Sequence, residues 1–354
     1  MVKLLHQNKG LPTTKGSVLV LVLVVLSSMT MLSVALAYRT RIEIKIAQSY
    51  AQRTKAYYLA RAGIERARAH LGEREITPAN MAHICSLNTT AREEKLFDGL
   101  DVPQLHKHRL WFCVRDEQGC LNLNKSDPAS WTRIENLSKS CCAGILDWQD
   151  EDDQTSSEGA ETDFYQRLEP PYIAKNSDIL LLKELLYVKD IAAQLYLGED
   201  YNHNDILDEN ETDGSLIPPP DNGDDRLDSG LVDIFTVYGN GRININTASR
   251  TVLAALPGLD EGVADAIISH RTGTDCQAGT EDDICFEDIS DLAKLQELSS
   301  LQIELLEQYC CFTSRYFRFF SRATLPSGVK CSLLATVCCS DADTELITLE
   351  RLPQ

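Results

Sequence analysis

Basic side chains are scarce in this sequence: 34 Lys and Arg stand against 53 Asp and Glu, which gives a formal net charge of -19 over 354 residues. Tight binding of nucleic acid needs clustered Lys and Arg that displace counterions from phosphates, so this excess of acid argues against that class of protein. Glycine and proline, with 19 and 12 residues, are too few for a fibrous or wholly disordered chain.

Catalytic signatures are also missing. The sequence has no His-Glu-x-x-His motif, no Walker phosphate loop and no Gly-x-Ser-x-Gly nucleophile elbow. We therefore predict a protein that is not an enzyme.

Cysteine is plentiful, with 12 residues, but no Cys-x-x-Cys is present, which argues against zinc ribbons and thioredoxin chemistry. An even number of cysteines beyond a membrane span is typical of disulfides in an oxidising periplasm. Two pairings are hypotheses, Cys276 with Cys285 and Cys113 with Cys120; the alternative is that several cysteines are small buried apolar residues.

Charge divides the chain into two parts. Residues 1–74 hold twelve basic and three acidic side chains, a net charge of +9, so the remainder carries -28. The sequence predicts a basic stalk that carries an acidic head.

The stalk begins with an uncharged apolar run from Ser17 to Ala37, 21 residues that suffice to cross a hydrocarbon core of about 30 Å. A helical pattern then continues to Leu71 without proline, and its spaced positions are Ile42, Ile46, Ser49, Arg53, Ala56, Ala60, Ile64 and Ala67. Two alternatives remain open here: a signal peptide cleaved after Ala37, and an uncleaved single-span anchor.

The head reads as α+β. A strand is predicted at 110–114 and a second at 121–124, helices at 179–197, 247–271 and 289–309, and three terminal strands near 316–320, 329–337 and 345–352. The phrase around Leu121-Asn122-Leu123-Asn124 recurs as Ile243-Asn244-Ile245-Asn246, a weak internal symmetry. The acidic loop 149–157 is interpreted as a solvated turn.

Residues 200–211 have the spacing of a twelve-residue calcium loop. The predicted ligands are Asp200, Asn202, Asn204, the Ile206 carbonyl, Asp208 and Glu211, with Asp205 where glycine is usual. Asn222, Asp224 and Asp228 repeat the last part of the pattern. Calcium is the predicted cofactor, and an acidic solvated linker is the alternative.

Residues 254–271, around Leu256-Pro257-Gly258-Leu259, resemble a helix-hairpin-helix, a motif that often binds DNA through hairpin amides. Asp260 and Glu261 lie where phosphate would sit, and the head is strongly acidic, so no nucleic-acid partner is expected and the motif is predicted to pack within the protein.

The span fused to a long amphipathic helix resembles the N-terminus of type IV pilins and pseudopilins. In that family a prepilin peptidase cuts after the leader glycine, here Gly16, and leaves Ser17 as a methylatable N-terminus. Most members have glutamate at the fifth mature position, where this sequence has Leu21; its absence is usual for the K-type minor pseudopilin of type II secretion. Further resemblance to that family lies in residues 115–124, 146–148, 163–172 and 243–259.

The resemblance implies a pilin-like α+β fold with a large inserted α-helical domain, in which relatives carry calcium sites. The implied organisation is a leader at 1–16, a membrane span at 17–37, a stalk helix at 38–72, the first part of the core at 73–126, the insertion at 127–308 and the last strands at 309–354. The implied role is a non-enzymatic part of the pseudopilus tip, anchored by one span in the inner membrane with a periplasmic head. The implied partners are other minor pseudopilins and the prepilin peptidase. The alternative is a membrane-anchored helix-hairpin-helix protein of DNA uptake or of a type IV pilus.

The first prediction concerns the mature N-terminus. Mass spectrometry of the protein from membranes is expected to find a chain that begins at Ser17, because the peptidase acts after Gly16. A chain that still begins at Met1, or one cut after Ala37, would contradict the pilin-like interpretation.

Overall fold

The computed structural model describes residues 17–72, 76–85, 109–135, 137–200, 223, 227–276, 278, 280, 282–340 and 343–352. The chain forms two compact units, residues 1–55 and 56–354, which are described separately. The helices are α1 (Ser17–Gly72), α2 (Pro78–Cys85), α3 (Pro128–Trp131), α4 (Lys139–Gln149), α5 (Thr162–Tyr165), α6 (Ala193–Leu197), α7 (Leu231–Ile234), α8 (Arg250–Ala255), α9 (Glu261–Arg271), α10 (Ile289–Leu292) and α11 (Ser300–Tyr309). The strands are β1 (Arg109–Asp116), β2 (Leu121–Asn122), β3 (Phe235–Thr236), β4 (Ile243–Asn244), β5 (Cys310–Cys311), β6 (Tyr316–Thr324), β7 (Lys330–Cys339) and β8 (Thr344–Arg351).

The first unit is the exposed part of α1, which is long and apolar enough to cross a membrane. Its hydroxyl side chains bond to the carbonyls of the preceding helical turn: Ser27 donates to Val24 at 2.9 Å and Ser33 to Met29 at 2.8 Å. A hydroxyl satisfied in this way carries little penalty in hydrocarbon, so the few polar residues do not break the predicted span.

In the second unit the rest of α1 packs on a sheet through a face of small residues. Ala56, Ala60, Gly63 and Ala67 are buried and recur at helical spacing. A Cβ on Gly63 would lie 2.5 Å from the Ser321 hydroxyl, so the backbone of α1 approaches β6 more closely than a larger residue permits. The second half of the predicted apolar stripe is therefore the packing face of the helix.

The sheet is antiparallel, in the order β1-β6-β7-β8. Its side chains alternate between two faces, as strands require. One face presents apolar side chains to α1 and α2, among them Phe112, Phe317, Phe319 and Leu333. The other face presents Trp111, Cys113 and Phe320. The three predicted terminal strands and the first predicted strand are confirmed, as is the α+β fold class.

The helical insertion has its own hydrophobic core, which runs from Leu121 to Cys310. Each main helix begins at a polar residue whose side chain caps the first turn: Ser138 accepts from the Cys141 amide, Asp260 from the Val263 amide and Ser299 from the Gln302 amide. These caps fix the residues at which the helices begin.

All three helices predicted in the head are interrupted. The helix predicted at 247–271 is divided by a turn into α8 and α9. Residues 179–197 form a 3-10 turn at Leu182–Tyr187 and then α6, because Asp190 lies in the left-handed region with φ 63° and breaks the helix. Residues 289–309 form α10 and α11, because Ser299 caps a new helix with a capping box to Gln302.

The two strands predicted at 110–114 and 121–124 do not pair with each other. β1 pairs with β6, whereas β2 pairs with β3 in parallel. Asp116 accepts from the Gln118 amide and starts a buried 3-10 turn at Glu117–Gly119, which turns the chain out of the sheet before β2 begins.

The close approach of α1 to the sheet yields a stability prediction. Gly63→Leu is expected to lower the free energy of unfolding by about 1–3 kcal/mol, because the added side chain overlaps Ser321 and Leu110. Urea denaturation of the detergent-solubilised chain, followed by circular dichroism, measures the loss. The matched control is Ala62→Leu at an exposed neighbouring position, and an equal loss in both variants would contradict the packing argument.

Candidate functional site: the polar junction and the acidic loops

The first of two similar asparagine pairs opens the insertion. Asn122 accepts from the Asn124 amide at 3.0 Å, and its own side chain donates to the Tyr238 carbonyl at 2.8 Å. Asn124 brackets Ile179, because it accepts from the Ile179 amide and donates to the Ile179 carbonyl, both at 2.9 Å. One side-chain amide therefore holds both backbone polar groups of a residue that is distant in sequence.

The second pair repeats this arrangement. Asn244 accepts from the Asn246 amide at 3.0 Å, and Asn246 brackets Phe286 with bonds of 2.8 Å and 2.9 Å. Both copies lie on a two-residue strand in a parallel pair. Each is followed by a capped helix, which begins after Asp127 in the first copy and after Ser249 in the second. The weak internal symmetry of the sequence is thus a repeated structural unit.

A buried carboxylate, Asp116, joins β1 to the second copy. Its Oδ2 accepts from Asn244 at 3.0 Å and from the Thr247 and Ser314 hydroxyls at 2.6 Å each. Burial raises the pKa of Asp116 to about 6, although these hydrogen bonds oppose the shift. We call Asp116, Glu117, Asn244 and Arg318 the polar junction.

The second half of the polar junction is a buried ion pair. Arg318 of β6 donates to Glu117 through Nε at 2.6 Å and a terminal nitrogen at 3.0 Å, and to the Val232 carbonyl at 2.9 Å. The Thr236 hydroxyl donates to Glu117 at 2.6 Å. Loss of one partner of such a pair typically costs about 3–5 kcal/mol, because the other charge stays buried. The pair therefore ties the sheet to the insertion.

The helix-hairpin-helix motif is present as α8, a turn and α9. Arg133 donates to the carbonyls of Leu256 and Leu259 in the hairpin, the latter at 3.1 Å. A Cβ on Gly258 would meet the Leu305 side chain at 2.3 Å, so the hairpin lies against α11. These contacts agree with the predicted packing role.

Of the predicted calcium ligands, Asp200 and Asp228 are described; Asn202, Asn204, Ile206, Asp208, Glu211, Asn222 and Asp224 lie outside the described residues. A bridge between Gly198 and Ser229 brings the two ends of the segment together, and the Glu199 amide donates to the Asp228 carbonyl at 3.0 Å. The chain can approach so closely because Gly198 and Gly230 lack Cβ atoms. Calcium binding by this loop stays a prediction.

The predicted disulfides are not formed in this structure, where Cys120 and Cys276 carry free thiols. Cys113 lies on β1, while Cys120 follows the 3-10 turn with its sulfur 3.3 Å from the Asp233 carbonyl. Both pairings stay predictions for the oxidised protein.

The structure brings together three carboxylates that the sequence did not single out. Oxygens of Asp147, Asp150 and Glu161 all lie within 4.8 Å of one another. The neighbouring acidic run 151–153 belongs to the loop that the sequence predicts as a solvated turn, and it is exposed. No pattern in the sequence marked Glu161 as a neighbour of Asp147, because that contact depends on how the loop between the two residues folds. Burial, and then the charges of Asp147 and Asp150, raise the pKa of Glu161 to about 7.

Comparison with models of known protein families gives two matches, both within the helical insertion. Two family models, both described as Type II secretion system (T2SS), protein K, match the chain at residues 132–198 and 243–308. The chain belongs to the protein K family of type II secretion. It is therefore a minor pseudopilin, a structural component of the secretion system, and the prediction that it is not an enzyme is confirmed by its family.

Two further similarities were found. A chain of the GspK-GspI-GspJ complex from the enterotoxigenic Escherichia coli type 2 secretion system superposes with a TM-score of 0.48 and 14% identity, over 70% of this chain and 81% of that chain. The endonuclease/exonuclease/phosphatase family domain-containing protein 1 of Danio rerio is 34% identical over 74 residues, which is 21% of this pseudopilin and 12% of that protein.

The pKa of Asp116 gives a pH prediction for this pseudopilin. A carboxyl whose pKa is raised on folding, here from 3.8 to about 6, is favoured in its protonated form in the native state. Its contribution to stability is present below pH 3.8 and is lost as the pH rises through 6. Between pH 4 and 7 the wild type is expected to lose about 2 kcal/mol of unfolding free energy relative to Asp116→Asn, which does not titrate.

Urea denaturation of both proteins in a non-ionic detergent at several pH values measures this difference. Asp178→Asn is the matched control at an exposed aspartate. A difference between wild type and Asp116→Asn that stays constant across this pH range would show that Asp116 does not titrate there.

Proposed function

We propose that this minor pseudopilin lies at the tip of the type II secretion pseudopilus and supports export of folded proteins across the outer membrane. The observation that carries the proposal is the helical insertion, whose core spans Leu121 to Cys310 and which is tied to the sheet by Glu117 and Arg318. A subunit inside a filament has neighbours stacked above and below it. A subunit at the end tolerates a bulky domain, because no further subunit has to stack above it.

Leu21 supports the same position. Most pilins carry a glutamate there that is thought to meet the terminal amine of a neighbour. A carboxylate within a membrane is costly unless it is paired. A tip subunit with leucine needs no such partner, and the uncharged run of α1 enters the membrane without one.

The proposed partners are other minor pseudopilins, which contact α1. Beyond the span, Ile42, Ile44, Ile46 and Tyr50 are exposed in the isolated chain, and a run of exposed apolar side chains calls for cover by other helices. The protein is anchored in the inner membrane by the span in α1, with the head in the periplasm. Prepilin peptidase releases the leader after Gly16, which lies outside the described residues.

Tip location can be tested with an epitope tag in the β6–β7 turn at Ser327, where exposed residues lie outside both cores. Gold-labelled antibody on overproduced pseudopili is expected to mark one end of each filament. Antibody against the major pseudopilin is the control and marks the whole length. Label from the Ser327 tag along the whole filament would contradict the tip position.

The export role has a separate readout. Cells that lack this protein are expected to retain folded exoproteins in the periplasm, and the tagged protein restores their release to the medium. Normal secretion in the deletion strain would contradict the export role and leave the filament labelling to decide the position.

A further inference from the structure

Exposed apolar side chains are concentrated in one part of the insertion. Beyond α1, ten large apolar residues of the described chain are exposed, and seven of them lie within residues 164–187. We call these seven residues the apolar patch: Phe164, Leu168, Ile173, Leu180, Leu181, Leu186 and Tyr187. Single exposed apolar residues are normal on a protein surface, whereas a group of them marks a site of interaction with another molecule.

A row of aromatic rings supports the first half of the apolar patch. The ring centroids of Phe164, Tyr165, Tyr172 and Tyr187 follow one another at 5.3, 5.1 and 5.8 Å. The Tyr172 hydroxyl donates to the Tyr187 carbonyl at 2.9 Å, and the Trp148 ring lies 5.2 Å from that of Tyr165. Trp148 and Tyr165 belong to the buried core of the insertion. The exposed side chains therefore stand on a fixed base, which lowers the entropy lost when a partner binds.

The second half of the apolar patch is held by Glu184. Its carboxylate accepts from the amides of Leu180 and Leu181 at 3.0 and 2.9 Å, and it pairs with Lys175 at 2.7 Å. The 3-10 turn Leu182–Tyr187 begins directly afterwards and ends at the aromatic row. One short hydrogen-bonded element thus connects the two halves of the patch.

The rim of the apolar patch is acidic. Asp163, Glu169 and Asp178 are exposed beside patch residues, and none of the three takes part in the ion pairs of the described chain. The lysines of the same region are engaged with carboxylates or with backbone carbonyls: Lys175, Lys183 and Lys189. Arg167 is the one further basic residue between 158 and 190, so the rim keeps a net negative charge.

We infer that the apolar patch is a docking surface for a protein partner that presents apolar side chains together with lysine or arginine. Aromatic residues supply most of the binding energy in such interfaces, and complementary charge at the rim guides the approach. The surface lies in the insertion and is separate from the stretch of α1 that contacts other minor pseudopilins in the proposal above.

Two other occupants fit the charge poorly. A second copy of this chain would bring the same acidic rim, on a head of charge -28, against the first. A lipid surface would place anionic headgroups against the carboxylates of the rim. The acidic rim therefore favours a basic protein surface over both.

Photocrosslinking of the full chain in secreting cells tests the docking surface. The photoreactive residue p-benzoylphenylalanine replaces Ile173 or Leu180, which are 65% and 69% exposed. Irradiation is expected to give a protein adduct at both positions, which mass spectrometry identifies as one partner with lysine or arginine in the cross-linked segment. Leu301 in α11, which is 66% exposed, is the matched control position and is expected to give no such adduct.

Charge reversal tests the role of the rim. Glu169→Lys combined with Asp178→Lys is expected to lose most of the adduct and to melt at the wild-type temperature, because both side chains are exposed. Glu297→Lys combined with Glu304→Lys, at exposed positions elsewhere in the insertion, is the matched control and is expected to keep the full yield. The readout is the adduct and not secretion, so the result is independent of the tip position and of the export role.

Four results would overturn the inference. The first is the absence of a protein adduct at 173 and 180, and the second is an adduct with a second copy of this chain or with phospholipid. The third is capture of the same partner from Leu301. The fourth is an unchanged yield in the variant with Glu169→Lys and Asp178→Lys.

Discussion

The burial of Asp116, Glu117 and Arg318 is the constraint on which the arrangement of the sheet and the insertion depends. Asp116 accepts hydrogen bonds from Asn244, Thr247 and Ser314. It therefore links the end of β1 to the insertion and to the segment that leads into β6. Arg318 reaches from β6 to Glu117 at the point where the chain leaves the sheet. Because these groups are removed from water, each needs its partners in place, and that requirement specifies one way of joining the insertion to the sheet.

Within the insertion, one local device is used twice. Asn124 and Asn246 each bind the amide and the carbonyl of a distant residue, Ile179 in one case and Phe286 in the other. A single asparagine satisfies both backbone polar groups of a buried residue without a full strand partner. In this way a domain built of short helices can bury segments of its long loops with their backbone groups hydrogen-bonded. Of the two matches to the protein K family, the one over residues 132–198 follows the first copy of this device, and the one over 243–308 begins with the second copy.

Local patterns predicted elements well where the elements depend on their own sequence. The long helix α1, the strand β1 and the three terminal strands follow from apolar periodicity, and the hairpin between α8 and α9 follows from Leu256-Pro257-Gly258-Leu259. Periodicity failed at 179–197 and 289–309, because Asp190 and the Ser299 cap interrupt helices whose apolar spacing continues through the break. Alternation predicted the strand β2 but not its partner, because β3 is more than a hundred residues away and leaves no local trace.

The sequence by itself determined the membrane-length helix, the acidic head, the α+β class and the relation to type II secretion pseudopilins, because each depends on composition, spacing or contiguous motifs. Tertiary structure alone decided which charged residues meet. Asp116 meets Asn244, and Glu117 meets Arg318, through contacts between elements far apart in the chain. Glu161 joins Asp147 and Asp150 only because Gly159 and the Ser156 amide fold the loop back onto the end of α4. Whether such side chains meet depends on the backbone conformation of all the residues between them, and the spacing of residues along the chain does not specify that conformation.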